Sequence, residues 1–212
     1  MSRIFFITGT DTGVGKTALT VLLVKFLRGR GIQAAALKPV SSGGRGDAKK
    51  IFAAMNGALP LDEINPWHFR AAIAPALAAR RERKHVTLTQ AAAHLRSMRK
   101  RFDVLLVEGA GGLLSPMGQK FNSRDLIAAL RATPVVVAPN RLGVVNQILL
   151  TLEALQESFR AKAFVVLMPR PGPDLAANTN ARLLAEFFDA RRIMTPRRFK
   201  FHLLRNLPFR AH

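Results

Sequence analysis

Short, unbroken apolar runs alternate along this chain with longer stretches in which apolar residues recur every three or four positions. The runs Ile4–Thr8, Gln33–Lys38, Val104–Val107, Val135–Ala138 and Phe164–Leu167 predict strands, and most of them have no polar residue to turn toward solvent. Such strands are buried on both faces. The helical spacing predicts helices over Lys16–Gly29, Ala48–Met55, Leu88–Arg99, Arg124–Ala129, Val145–Glu157 and Thr179–Phe188. Strand and helix in alternation imply an α/β fold, a mostly parallel sheet with helices on both faces. No repeat, low-complexity tract or linker interrupts the 212 residues, so 1–212 reads as a single domain.

Ligands on such sheets sit beyond the carboxyl ends of the strands, so the loops that follow each strand carry the chemistry. The first contains "TGTDTGVGKT" (8–17). A P-loop pattern wants four residues between its first glycine and Gly-Lys-Thr; here five separate Gly9 from Gly15, and Thr10 stands where glycine is expected. The physical requirements are still met. A strand stops, Gly13 and Gly15 allow tight curvature, and a helix opens at once, so its free N–H groups can face a phosphate. Lys16 can reach the terminal phosphates and Thr17 can hold Mg²⁺.

Three further loops follow strands: "KPVSSGGRGD" (38–47), "EGAGGLLSP" (108–116) and "PNRLGVVNQ" (139–147). Lys38 ends an apolar strand, which puts its ammonium in the cleft opposite developing negative charge, with the Ser41 and Ser42 hydroxyls as further donors. Asp47 and Glu108 with Thr17 offer the few hard oxygens that Mg²⁺ prefers. Asp47 can equally cap the helix that starts near Ala48. Glu108, followed by Gly-Ala-Gly-Gly, suits a close approach to a ligand.

Charge changes the picture more than composition does. Lys and Arg number 33 against 13 Asp and Glu, a formal net charge of +20. They cluster in "RRERKH" (80–85), "RSMRKR" (96–101) and "RRIMTPRRFK" (191–200). A nucleic-acid surface is one reading. The runs are poor in interleaved aromatics, with Phe199 and Phe201 the exceptions, and this favours solvated helix ends and loops. Cysteine is absent, which suits a reducing cytoplasm and excludes thiolate chemistry. No N-terminal signal is visible and no apolar run is long enough to span a bilayer.

Taken together, "GTDTGVGKT", "KPVSSG", "VEGAGG" and "RLGVVNQ" occur in the order and approximate spacing of the dethiobiotin synthetases, and "NPWHF" and "APALAAR" resemble that family's middle segment. The likeness runs over roughly 3–167, and the five-residue spacing of the phosphate loop is the family's own form. The resemblance implies a P-loop NTPase-like fold, a homodimer, and ATP- and Mg²⁺-dependent closure of a ureido ring from 7,8-diaminononanoate and CO₂. It implies that Thr12, Gly13, Val14, Gly15, Lys16, Thr17 and Ala18 cradle the nucleotide, with Leu207 and Pro208 lining the base pocket. Lys16 and Lys38 are the implied catalytic residues; Thr12, Lys38, Ser42, Gly111, Gly143 and Asn146 the substrate contacts; Thr17, Asp47 and Glu108 the metal ligands. One departure stands out: Met168 or Pro169 occupies the place where the family carries an adenine-reading asparagine. The competing reading is a partitioning-type P-loop ATPase acting on DNA, supported by the charge.

Overall fold

In the computed structural model, residues 3–172 and 174–207 are described. The first part of the chain forms β1 (Arg3–Gly9), α1 (Lys16–Arg28), β2 (Ala34–Leu37), β3 (Val40–Ser41), α2 (Gly46–Ala54) and α3 (Leu61–Ile64). The middle adds β4 (Trp67–His68), α4 (Pro75–Arg81), α5 (Leu88–Arg99), β5 (Val104–Glu108), α6 (Ser123–Leu130) and β6 (Thr133–Pro139). The last part holds α7 (Val144–Glu153), α8 (Glu157–Arg160), β7 (Phe164–Met168), α9 (Asn180–Leu184), β8 (Ile193–Met194) and α10 (Pro196–Asn206).

Among the described residues, six strands make one sheet in the order β2-β5-β1-β6-β7-β8, with every pair parallel. Its central strands are buried on both faces: Phe6 and Ile7, adjacent in β1, are each fully buried, as are Leu105, Leu106 and Val107 in β5. Register then decides where the chemistry goes. Ile7 lies beside Glu108, the last residue of β5, and Gly9, the last of β1, lies beside Val137, two residues before β6 ends, so the carboxyl ends of the three strands reach one edge. The helices form for local reasons. α1 buries Leu19, Leu23, Val24 and Leu27 along one stripe, and capping boxes start α5 (Thr87 with Gln90) and α6 (Asn122 with Asp125).

The structure departs from the sequence pattern in a few elements. The helix expected over Val145–Glu157 ends at Glu153, and a separate α8 follows. Leu152, Leu155 and Phe159 are buried on both sides of the break, so helical spacing continues through a turn that is not helix. The helix expected over Thr179–Phe188 shrinks to Asn180–Leu184, after a 3₁₀ turn at Leu175–Asn178 capped by Asp174. The basic run at 191–200 is not a loop: Thr195 caps α10, Pro196 occupies its first turn, and Phe199 and Leu203 are buried beneath it. Asp47 is not a cap either, since α2 begins at Gly46 after Arg45.

Candidate active site

The loop between β1 and α1 holds Gly13 at φ 74° and Gly15 at φ 101°. Only glycine takes those angles without strain. A Cβ at Gly15 would also meet the Met168 side chain at 3.0 Å, so β7 closes over the loop. Among the described residues, the amides of Gly13 through Ala18 donate to no backbone carbonyl. With the positive end of α1 behind them they form a cradle for phosphate oxygens. Lys16 is buried, and its Nζ donates to the Asp11 carbonyl at 2.6 Å. Burial, and then the charge of Lys38, lower its pKa to about 8. Phosphate oxygens would replace that carbonyl and favour the ammonium form.

Beside the cradle sits a charge cluster in which Lys38 and Glu108 are buried and Asp47 is half-exposed. Lys38, just past β2, donates to Glu108 Oε1 at 2.6 Å and to Asp47 Oδ2 at 2.8 Å. The Thr17 hydroxyl donates to the same Glu108 oxygen at 2.7 Å. Burial works against the Lys38 ammonium, but the two carboxylates outweigh it and hold the amine above the ordinary lysine range. For Asp47, burial favours the neutral acid, yet attraction to Lys38 wins and keeps the carboxyl below its usual range. Glu108 is fully buried, and its Oε2 has no hydrogen-bond partner. A buried carboxylate oxygen left unpaired is costly and asks for a cation or a donor.

That orphan oxygen is the observation that fits a Mg²⁺ ion. Thr17, Asp47 and Glu108 supply three oxygens from three elements. Among the described residues no three His, Cys, Asp or Glu side chains come together as a metal cage. Mg²⁺ does not require one, because it is bound through one or two carboxylates together with phosphates and water.

A cavity of about 600 Å³ opens beside this cluster, lined among others by Thr12, Lys38, Ser42, Asp47, Gly111 and Ser115. Four of the expected substrate contacts therefore meet in one place. Ser42 donates to the Ile73 carbonyl at 2.6 Å, which fixes its oxygen at the cavity wall. Gly111 has φ 66°, and a Cβ there would strike the Ser115 hydroxyl at 2.4 Å. Gly143 and Asn146 do not line this cavity; they are exposed at the start of α7. Val14 is buried in the phosphate loop and Ala18 is exposed in the first turn of α1. Pro208 lies outside the described residues.

Sequence reasoning passed over two side chains that shape the site. Asn65 is fully buried, donates to the Lys38 carbonyl at 2.7 Å and accepts from Ser41 at 3.1 Å. It clamps the backbone that presents Lys38. Ser115 accepts from the Gly112 amide at 2.9 Å and pins the glycine loop. Both stand inside segments the motifs flagged, "NPWHF" and "EGAGGLLSP", but hydrogen bonds between distant segments leave no periodic signal.

A family model described as an AAA domain matches residues 3–195. The ATP-dependent dethiobiotin synthetase of Anaeromyxobacter dehalogenans (strain 2CP-C) is 42% identical over 176 residues, covering 81% of this chain and 78% of that protein. The ATP-dependent dethiobiotin synthetase of Akkermansia muciniphila is 38% identical over 189 residues, covering 89% of each. Among solved structures, the signal recognition particle receptor FtsY of Elizabethkingia anophelis superimposes with a TM-score of 0.59 at 13% identity, over 92% of this chain and 57% of its own. The MinC:MinD cell division complex of Aquifex aeolicus gives 0.53 at 14% identity, over 87% and 78%. At such identities the solved structures speak for the fold alone.

Proposed function

This chain belongs to the ATP-dependent dethiobiotin synthetases, and on that premise we propose that it closes the ureido ring of dethiobiotin from 7,8-diaminononanoate and CO₂. The observation that carries the reading is Lys38 held between Glu108 and Asp47, next to the phosphate cradle and at the wall of the cavity. A switch ATPase needs the cradle but has no use for that lysine.

In the proposed reaction, CO₂ adds to one amine of the substrate to give a carbamate. A carbamate oxygen attacks the γ-phosphorus of ATP and ADP leaves. The second amine then attacks the carbonyl carbon, expels phosphate and closes the ring. The carbamate is already an anionic nucleophile, so the phosphoryl transfer depends on positioning and charge stabilisation and needs no side-chain base. Lys16 faces the β- and γ-phosphates. Lys38 and Ser42 face the carbamate, with Thr12 and Gly111 shaping the floor beside it. Magnesium held by Thr17, Asp47 and Glu108 would neutralise charge on the phosphates.

Gly143 and Asn146 are proposed to serve the neighbouring protomer of a homodimer, which accounts for their distance from their own cavity. Leu142 and Leu175 support a covered surface there: they are 74% and 88% exposed, one in the loop before α7 and the other in the 3₁₀ turn before α9, and the two segments are tied together by Asp174 and by the Asn140–Asn180 hydrogen bond. Large apolar side chains exposed on adjoining segments favour a protein contact. Among the described residues no helix is long and apolar enough to cross a membrane. We place the enzyme in the cytoplasm, working as one domain per protomer.

The test uses ¹³C-bicarbonate, the diamine and Mg-ATP, with products followed by mass. The expected product is the diamine plus labelled carbon dioxide less water. ADP formation without any labelled ring product overturns the reading.

A further inference from the structure

The sheet has a second edge. Because its strands all run the same way, the amino ends of β1, β6 and β7 gather on the side opposite the phosphate loop. The seven residues of β1 separate the two edges by roughly 20 Å at the usual rise of a strand. A cavity of about 470 Å³ opens at this far edge.

Its lining is basic. Arg3, Arg99, Arg131, Lys162, Arg192 and His202 border it, and among the described residues no carboxylate does. The basic groups come from six parts of the chain, and three of them are held in place. Arg3 donates to the Asn206 carbonyl, and Arg192 donates to the Lys162 carbonyl at 3.1 Å. The Arg192 guanidinium lies over the Phe164 ring at 5.1 Å, and the His202 ring packs on the same phenyl at 4.9 Å. Two acids are near without bordering the cavity: Asp103, whose carbonyl accepts the Arg3 amide at 2.9 Å, and Asp189, which lies 3.6 Å from Arg192 while Arg191 claims the same carboxylate at 3.1 Å. The crowding shows in the titrations. Burial and Arg131 push the Lys162 pKa down, and burial and Arg192 push down that of His202.

Like charges gathered in excess of their counter-charge destabilise a fold, whereas an anion placed among them relieves the repulsion. The cavity also has apolar walls in Ile4, Phe164 and Leu203. A duplex needs neither concavity nor such walls, while a volume of this size suits a small ligand. We propose that the far-edge cavity binds a small phosphorylated molecule with an apolar or aromatic body, at a site distinct from the phosphate loop.

Equilibrium dialysis with ADP, inorganic tripolyphosphate and a duplex DNA as probes tests this on the full chain. The wild type should take up ADP at both the phosphate loop and the far edge. The double variant Arg131→Asn/Lys162→Gln should lose the far-edge uptake, with affinity there weaker by about tenfold or more, since charge-assisted contacts are removed. Lys16→Ala should lose the other uptake instead. Arg131 has φ 50°, an angle asparagine tolerates, so the fold should survive. If the double variant does not fold, Arg99→Gln at the end of α5 carries the same comparison. Unchanged ADP stoichiometry in the folded variant overturns the proposal. Duplex DNA that binds there while ADP does not assigns the edge to a polynucleotide and overturns it too. Tripolyphosphate binding as tightly as ADP refutes the apolar body.

Discussion

Lys16 and Lys38 are both buried lysines of one cleft, yet they have different partners and should fail differently. Lys16 touches only the phosphate loop's own carbonyl, so Lys16→Ala should weaken nucleotide binding and abolish turnover together. Lys38 neutralises Glu108 and Asp47, and removing it outright leaves a buried carboxylate unpaired. Lys38→Gln keeps a donor and is the better probe. It should bind a non-hydrolysable ATP analogue almost normally and lose diamine-dependent turnover by about a hundredfold, as the loss of an oxyanion donor does. Calorimetry beside a turnover assay separates the two effects; equal losses of ATP affinity would refute the division of labour. At this scale the motifs were legible because phosphate chemistry restricts the residue types within one short loop. What they could not show is Lys38 bonded to both acids, because Glu108 arrives from a segment 70 residues away and the fold of the loop that turns Asp47 back onto Lys38 leaves no periodic signal. Met168 packing on Gly15 was hidden for the same reason.

Strands and long helices were legible wherever hydrophobic spacing and burial coincide, as in β1, β5 and α5. The short elements were not. β3 and β4 have two residues each and exist through their mutual pairing, and the break between α7 and α8 keeps helical spacing. α10 read as a charge run because its polar face is so basic; only Phe199, His202 and Leu203 reveal the inner face. Phe199 packs on Phe164 at 5.3 Å and on Phe5 at 6.5 Å, so this helix anchors the amino ends of β1 and β7. His202 makes that anchorage sensitive to acid. Burial and Arg192 lower its pKa below the ordinary 6.5, so the unfolded chain binds the proton more readily. Its contribution is therefore intact above 6.5 and is lost as pH falls from there through the lower folded value. Thermal unfolding across that window should show the loss, and His202→Phe should flatten it. Parallel pH profiles for variant and wild type would show that His202 has no part in it.

At the scale of the whole molecule, parallel architecture follows from alternating elements, and the order of strands brings four loops to one edge without any special residue. The charge of +20 is the global feature the ligase reading does not need. If it belongs to solvated helix ends and to the far-edge cavity, duplex DNA should be retained only weakly, without sequence preference, and released at moderate salt. Retention at physiological salt that varies with sequence would argue against this. The most direct test of the account is the initial rate of ADP formation with Mg-ATP, taken with and without 7,8-diaminononanoate and bicarbonate and then with duplex DNA in their place. The account predicts ADP formation that depends on diamine and bicarbonate together and does not respond to DNA. A rate indifferent to the diamine and raised by DNA would contradict it.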